Sequence, residues 1–133
     1  MKLAELELKL PNGNGFHDAY ITSIEIDYPT SEMRLGMKLL LGGPDNPVDP
    51  MYRAAFIKIS DVKSLVIETP GLLCAEALQV SNSGPDWNDV IDPKVITAVN
   101  GAAPFYSFFI SNWNSCIHIA ATNATHEWSD GKQ

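Results

Sequence analysis

The adjacent pair His17-Asp18 is the part of this sequence best suited to chemistry. It belongs to the stretch Pro11-Asn-Gly-Asn-Gly-Phe-His-Asp-Ala-Tyr20, in which Asn and Gly favour a turn just before an apolar, alternating segment. An imidazole beside a carboxylate can transfer protons, bind a metal ion or hold the end of a strand. We therefore take His17 and Asp18 as candidate catalytic residues, with His118 as a third if the fold brings this second histidine to them.

A structural role for the pair is the interpretation that we favour. A carboxylate directly after a Gly-rich turn commonly accepts hydrogen bonds from backbone N–H groups, and so holds the chain as it enters a strand. The ring of His17 would then pack under the turn and donate one N–H to a carbonyl group. In this interpretation neither side chain is catalytic.

The histidines and the residues beside them include types that bind zinc or iron. Their spacing matches no local metal motif, since His-x-x-x-His, Cys-x-x-Cys and His-Glu-x-x-His are all absent. A metal site would have to be assembled entirely by the fold, and the sequence predicts no cofactor. The candidate metal ligands are His17, Asp18 and His126, with His118, Glu127 and Cys116 as further residues of suitable type.

Nucleophilic catalysis has little support in the sequence. Cys116 and His118 share one face of a predicted strand, but strand geometry separates them by ~7 Å, too far for a direct hydrogen bond. The Gly-x-Ser-x-Gly motif and a phosphate-binding glycine loop are both absent. The sequence therefore leans against an enzyme.

The charge of the chain is strongly acidic. It has 16 acidic and 9 basic residues among 133, a net charge of −7 and a pI of about 4.7. Such a surface repels the phosphates of nucleic acid, so we predict no nucleic-acid partner. It would attract a basic protein partner, although acidity also serves solubility, which is the commoner reason for it.

The predicted compartment is the cytosol. Cys74 and Cys116 each lie in an apolar run, which favours free thiols over a disulfide. Charged residues interrupt the leucines of residues 1–10, so no secretory signal is visible there. No apolar run approaches the roughly 20 residues that a membrane-spanning helix needs, and we predict no membrane partner.

The first half of the chain has the pattern of strands and turns. Leucines alternate with charges over residues 6–10, although Leu3, Leu6 and Leu10 would also share one helix face. The loop Gly42–Pro50 carries the candidate binding residues Asp45, Asn46 and Asp49, and is otherwise a plain connector. The predicted strands are 24–28 and 33–41, paired antiparallel, followed by 52–60 and 64–69 with a tight link at 61–63.

The second half is less regular until its end. Residues 69–79 have the pattern of a short helix and residues 82–86 that of a loop. Asp92-Pro93 favours a helix start, but the β-branched residues that follow leave residues 93–100 as helix or strand. Strands are predicted at 105–111 and from Cys116 onward, joined by the turn 112–114, in which Trp113 is a further candidate binding residue.

These elements predict a single domain over residues 1–133. About seven short strands with short links are typical of a mainly antiparallel β fold, either a sandwich or a strongly bent sheet, with one or two short helices. A ferredoxin-like α+β fold is the alternative.

Two motifs resemble those of an uncharacterised family of small bacterial proteins. That family has a Pro-Asn-Gly-Phe-His-Asp-Ala start, present here as Pro11–Ala19 with the two additional residues Asn14-Gly15. Its Trp-Asn-Ser-x-Ile-x-Ile-Ala-Ala finish is present as Trp113–Ala121. The resemblance implies kinship over most of the chain and carries no known activity.

Three functions from different classes follow from these observations. The leading hypothesis is a non-enzymatic, cytosolic protein-binding module. An immunity-like role rests on analogy with small acidic immunity partners of bacterial toxins, an analogy of size and charge only. The first alternative is a small metal-dependent or acid–base enzyme that uses His17 and Asp18, and the second is a structural subunit that self-associates through a sheet edge. The sequence leaves the oligomeric state open.

Overall fold

The computed structural model describes residues 1–42, 51–68, 78–85, 91–99 and 104–131 of the chain. The strands are β1 (Tyr20–Asp27), β2 (Glu32–Leu41), β3 (Met51–Ile67), β4 (Leu78–Pro85), β5 (Phe105–Ile110) and β6 (Ser115–Trp128), and the helices are α1 (Leu3–Lys9) and α2 (Pro93–Val99). The six strands form one antiparallel sheet that closes into a barrel in the order β1-β2-β3-β6-β5-β4. The predicted mainly antiparallel β class with one or two short helices is confirmed, and the predicted strong bend of the sheet goes as far as closure.

The N-terminal segment is the helix α1, so the prediction of a strand over residues 6–10 is wrong. Leu3, Leu6 and Leu10 are buried in the main core, whereas Leu8 is 87% exposed. This is the spacing of one helix face, and burial of that face outweighs the short alternation of leucine with charge. The helical alternative is the correct one.

Residues 93–99 form the helix α2, so of the two predicted alternatives, helix and strand, the helix is correct for these residues. The carboxylate of Asp92 accepts a hydrogen bond of 2.9 Å from the backbone N–H of Lys94, and Pro93 occupies the first helical position. Val95, Ile96 and Val99 form the face that packs against the outer face of the barrel, whereas Thr97 is exposed. Among the described residues, no helix is long and apolar enough to cross a membrane.

The long strand β3 replaces two predicted strands. The predicted link at 61–63 is wrong, because the pairing of β3 with β6 continues through it with a register shift between Val62 and Ser64. The shift leaves Lys63 as the extra residue of a β-bulge, and Asp61, just before it, has a φ of 54°. A bulge and a tight link share the same local sequence pattern, and only the partner strand distinguishes them.

The strand β4 is not predicted by the sequence. Its first two residues, Leu78 and Gln79, fall in the helix predicted over 69–79, which is wrong there, and residues 69–77 lie outside the described part of the chain. Residues 82–85 pair with β5, so the prediction of a loop from residue 82 is wrong over these four residues. A register shift between Val80 and Asn82 and the terminal position of Pro85 explain how a loop-like sequence is accommodated in a sheet. Six strands rather than seven are therefore described.

The faces of β5 and β6 alternate as predicted. On each strand one set of side chains belongs to the main core inside the barrel, and the other set lies on the outer face. The inward residues are Tyr106, Phe108, Ile110, Ile117, Ile119 and Ala121, and the outward ones are Phe105, Ser107, Phe109, Cys116, His118 and Ala120.

The turn that precedes β1 contributes to the core through Phe16. This ring is fully buried and lies edge-on to Tyr106 and Phe108, with ring centroids 6.2 and 5.1 Å apart. The amide of Asn12 donates hydrogen bonds of 3.0 and 2.9 Å to the carbonyl groups of Gly15 and Leu40. The turn is thus attached to the end of β2 and inserts an aromatic ring into the barrel.

A polar network holds α1 against the barrel wall. The carboxylate of Glu7 accepts hydrogen bonds from the hydroxyls of Tyr106 and of Ser83, the latter at 3.2 Å. Burial and the adjacent Glu7 raise the pKa of Tyr106 well above its usual range, so its hydroxyl stays a donor. The carboxylate of Glu7 therefore connects α1 to both β4 and β5.

Replacement of Phe16 by alanine tests the role of this aromatic ring. We expect a loss of about 3–5 kcal/mol in the free energy of unfolding, because a fully buried aromatic ring leaves a cavity. Urea unfolding followed by circular dichroism measures it. The matched control is Leu8→Ala on the exposed side of α1, which should stay within about 0.5 kcal/mol of the parent. Equal effects of the two substitutions would contradict the packing described.

Candidate functional site

The pair His17-Asp18 lies in a solvent-exposed turn. The His17 Nε2 and Asp18 Oδ2 atoms are 3.3 Å apart, and the side chain of His17 is 65% exposed. The expectation that this ring packs under the turn is therefore wrong. The turn is held instead by the backbone of Asp18, whose φ is 57° and whose carbonyl accepts a 3.1 Å hydrogen bond from the Tyr52 hydroxyl. Burial, followed by the neighbouring Tyr20 and Asp18, raises the pKa of Tyr52, which keeps it a donor.

His126 lies on β6 and shares its inner face with Trp128. The two rings are 4.5 Å apart and nearly perpendicular, and the buried Nε2 atom of His126 has no hydrogen-bond partner in the structure. Burial lowers the pKa of His126, and the nearby guanidinium of Arg53 lowers it further, against a smaller opposing effect of Glu127. Arg53 stacks over the Trp128 ring at 4.2 Å and forms an ion pair with Asp130 at 2.8 Å.

The other candidate binding residues are not gathered at one site. Asp45, Asn46 and Asp49 lie outside the described residues, and Trp113 is half-buried against the main core. Among the described residues, three or more potential metal ligands come together only at Glu68, Cys116 and His118. His17, Asp18 and His126 do not belong to that group.

The most organised polar group is centred on His118, on the outer face of the barrel. We call Glu68, Ser107, Cys116 and His118 the His118 cluster. The Nδ1 atom of His118 is 2.6 Å from the Ser107 Oγ, and its Nε2 atom is 2.7 Å from the Glu68 Oε2. Ser107 and His118 are buried, whereas the Glu68 side chain is 27% exposed. Both ring nitrogens are therefore engaged, one toward the interior and one toward the surface.

Cys116 completes the cluster at its surface side. Its backbone N–H donates a 3.1 Å hydrogen bond to the Glu68 Oε2, and the backbone N–H of Glu68 donates one of 3.1 Å to the Cys116 carbonyl. Burial and the neighbouring Glu68 carboxylate raise the pKa of the Cys116 thiol to about 11. The thiol is consequently protonated at neutral pH and is a poor nucleophile on its own.

Strand register brings these residues together. Ser107 pairs with His118 across the β5–β6 hairpin, and Val66 pairs with His118 on the other side, so Glu68 reaches the level of Cys116. Farther along this outer face, α2 packs on a second hydrophobic cluster that contains Ile91, Phe105 and Ala120. The His118 cluster thus borders an apolar contact between helix and sheet.

The order Ser107–His118–Glu68 resembles that of a hydrolytic triad, but its burial excludes that use. A nucleophilic serine must be reached by its substrate, and Ser107 is fully buried. The accessible atoms are those of Glu68 and Cys116, with the His118 ring behind them. Carboxylate, thiol and imidazole are instead the donor types of a metal site.

A separate depression of about 300 Å³ lies where β1 turns into β2, and we call it the barrel mouth. Its apolar lining is Ile26, Met33, Val62 and Leu65, and its polar lining includes Asp27, Glu32 and Lys63. Ile26 pairs with the buried Met33 and yet is 40% exposed, so the core reaches solvent at this end. Such openings are where small β-barrels bind other molecules.

Comparison of the chain with models of known protein families, with curated proteins and with solved structures found no match.

Glu68 and Ser107 are not among the residues that the sequence indicates as candidates. Ser107 was missed by one position, because the predicted turn at 112–114 would place Phe108 opposite His118, whereas the four-residue turn 111–114 places Ser107 there. Identifying Glu68 as a site residue would have required knowledge of the pairing of β3 with β6, which no local sequence pattern predicts. His118 was a candidate catalytic residue, but without a partner.

The buried environment of His126 predicts a pH-dependent stability. Its folded-state pKa is below the ordinary value of 6.5, so the unfolded chain takes up a proton first as the pH falls through that value. We expect the free energy of unfolding to decrease below pH 6.5 until the lower folded-state pKa is reached. His126→Phe should remove this component of the pH profile. An NMR titration of the ring with a midpoint at or above 6.5 would contradict the assignment.

Proposed function

We propose that this chain is a non-enzymatic, cytosolic protein-binding module that binds a basic protein partner at the barrel mouth. The observation that carries the proposal is the exposed Tyr28, which stands on the β1–β2 turn at the rim of this depression and is 82% exposed. Large exposed aromatic residues at the edge of an apolar depression are typical anchors of protein interfaces. Tyr28 and Ile26 would form the centre of the interface.

The attachment of the turn supports its use as an anchor. The Ser31 carbonyl accepts a 2.9 Å hydrogen bond from the backbone N–H of Val62, which ties the β1–β2 turn to the bulge of β3. At that bulge, hydrogen bonds from Lys63 and Thr122 lower the pKa of Asp61. A turn already fixed in the free protein loses little conformational entropy on binding.

The charge of the surrounding surface supports a basic partner. Next to the mouth lies a second depression that is lined by four carboxylates and two cations. Arg34 and Lys58 lie 2.8 and 3.8 Å from Glu25 and Glu32, so two of these carboxylates are already paired. Together with the net charge of −7, the surplus of carboxylates would steer a cationic protein toward this face. The carboxylates are Glu25, Asp27, Glu32 and Glu127, and the cations are Arg34 and Lys58.

The immunity-like role and the kinship with the bacterial family remain predictions. Both agree with a small acidic binding module, and neither identifies the partner. The predicted contribution of the loop Gly42–Pro50 to binding falls on residues 43–50, which lie outside the described part of the chain.

Self-association is a second candidate, for a different reason. The strand β1 pairs with β4 only at Tyr20 and Ile21, so within the described residues the rest of this edge has no partner strand. An unpaired edge can pair with another copy of the same chain. A monomeric mass in analytical ultracentrifugation at high protein concentration would eliminate this candidate.

Site-specific crosslinking tests the proposed interface. A photoreactive amino acid at position 28 should capture one basic protein from the native host, whereas the same group at Leu8, on α1, should not. With the captured partner purified, Tyr28→Ala should weaken binding by about tenfold or more, as expected for an aromatic anchor. The measurement is isothermal titration calorimetry.

Salt dependence and matched variants distinguish the outcomes. Asp27→Asn combined with Glu32→Gln should reduce the association rate and its dependence on ionic strength, whereas Leu8→Ala should change neither. Crosslinking at Tyr28 to an acidic protein, or equal crosslinking from position 8, would refute the proposal. Crosslinking to a second copy of the chain would favour self-association.

A further inference from the structure

We propose that Glu68, Cys116 and His118 bind a divalent metal ion, with Zn²⁺ as the expected occupant. Each residue offers one ligand atom, and these atoms all lie within 4.8 Å of one another. Cys116 and His118 lie on β6 and Glu68 directly follows β3, and the three converge on the outer face of the barrel. This site is independent of the barrel mouth and of the function proposed there.

A metal ion fits the site after small movements of the partly exposed Glu68 and Cys116 side chains. Ligand atoms at about 2.0–2.3 Å from a tetrahedral Zn²⁺ lie roughly 3.3–3.8 Å from one another. The 2.7 Å contact between the His118 Nε2 and the Glu68 Oε2 must therefore lengthen by somewhat under ~1 Å. Glu68 is the partly exposed member of the pair, so its carboxylate can move while the buried ring stays in place.

Ser107 would act as a positioning residue for the metal ligand His118. A histidine that binds a metal through Nε2 carries its proton on Nδ1 and donates it to a neighbouring acceptor. The Ser107 Oγ is 2.6 Å from that Nδ1 atom and can accept the hydrogen bond. Without the metal, Nε2–H can instead donate to Glu68 while the Ser107 hydroxyl donates to Nδ1. Each tautomer of the ring therefore has partners for both nitrogens.

The donor set selects the class of metal. One sulfur, one nitrogen and one oxygen donor suit Zn²⁺ and related transition metals, whereas Ca²⁺ and Mg²⁺ require oxygen ligands. Access is from the surface side, where Glu68 and Cys116 are only partly buried. Three protein ligands leave one tetrahedral position for a water molecule or another ligand.

Metal binding releases the proton of the Cys116 thiol to solvent. Cobalt substitution tests the site directly, because Co²⁺ bound to the resulting thiolate has an intense near-ultraviolet absorption band. We expect the reduced, metal-free full chain to develop this band on titration with Co²⁺ and to lose it on addition of Zn²⁺. Cys116→Ser should abolish the band, and Glu68→Gln should weaken Co²⁺ binding about tenfold or more, as loss of a ligand requires. Ser107→Ala should weaken binding by a similar factor and keep the thiolate band.

Two variants serve as matched controls. Cys74→Ser tests the other thiol of the chain, and His17→Gln removes the exposed histidine that could bind metal adventitiously. Both should retain the band and the affinity. Circular dichroism on each variant establishes that the barrel is folded. A band that survives Cys116→Ser, that disappears only with Cys74→Ser, or that never forms with the folded parent would overturn the proposal.

Discussion

The ability of β3 to pair along both of its edges is the constraint on which the barrel depends. Residues 51–54 pair with β2 alone, residues 55–59 lie between β2 and β6, and the strand then continues along β6 alone. The bulge at Val62–Ser64 lets the strand bend without leaving the sheet, since one extra residue increases the local twist. Without this continuity, the barrel would stay open, with β2 and β6 as exposed edges of the sheet. The barrel mouth and the His118 cluster both border β3, one at its bulge and the other at its end.

The His118 cluster on the outer face of the barrel shows how hydrogen bonds offset the free energy of burying polar side chains. Ser107 and His118 are buried, and the Ser107 hydroxyl and the Nδ1 atom of His118 form a hydrogen bond with each other. Glu68 completes the chain of contacts and connects it to the surface. A polar network of this kind stabilises the fold only when every member has a partner. The register of three strands provides those partners here.

Features that depend on neighbouring residues in the chain could be predicted from the sequence, whereas features that depend on residues far apart in the chain could not. Alternation along β5 and β6 predicted their two faces correctly, because period two is a local property. The helix α1 was predicted as a strand, because only tertiary contacts decide that Leu8 is exposed. The bulge of β3 was predicted as a link, because only the pairing with β6 keeps residues 61–63 in the sheet. For the same reason His118 was identified without Glu68, which lies 50 positions away in the chain. The closure of the sheet and the presence of the barrel mouth could be predicted only from the pairings of all six strands.

The contact between α1 and β6 determines when the protein can finish folding. The backbone N–H of Ala124 donates a 2.6 Å hydrogen bond to the carbonyl of Met1, so an early and a late part of the chain are in contact. During synthesis, β3 is made long before β6 and exposes an unpaired edge until that last strand emerges. Such non-local closure is slow, and open intermediates with free edges tend to aggregate. Mutual repulsion between acidic chains would then protect the protein most during the interval before the barrel closes.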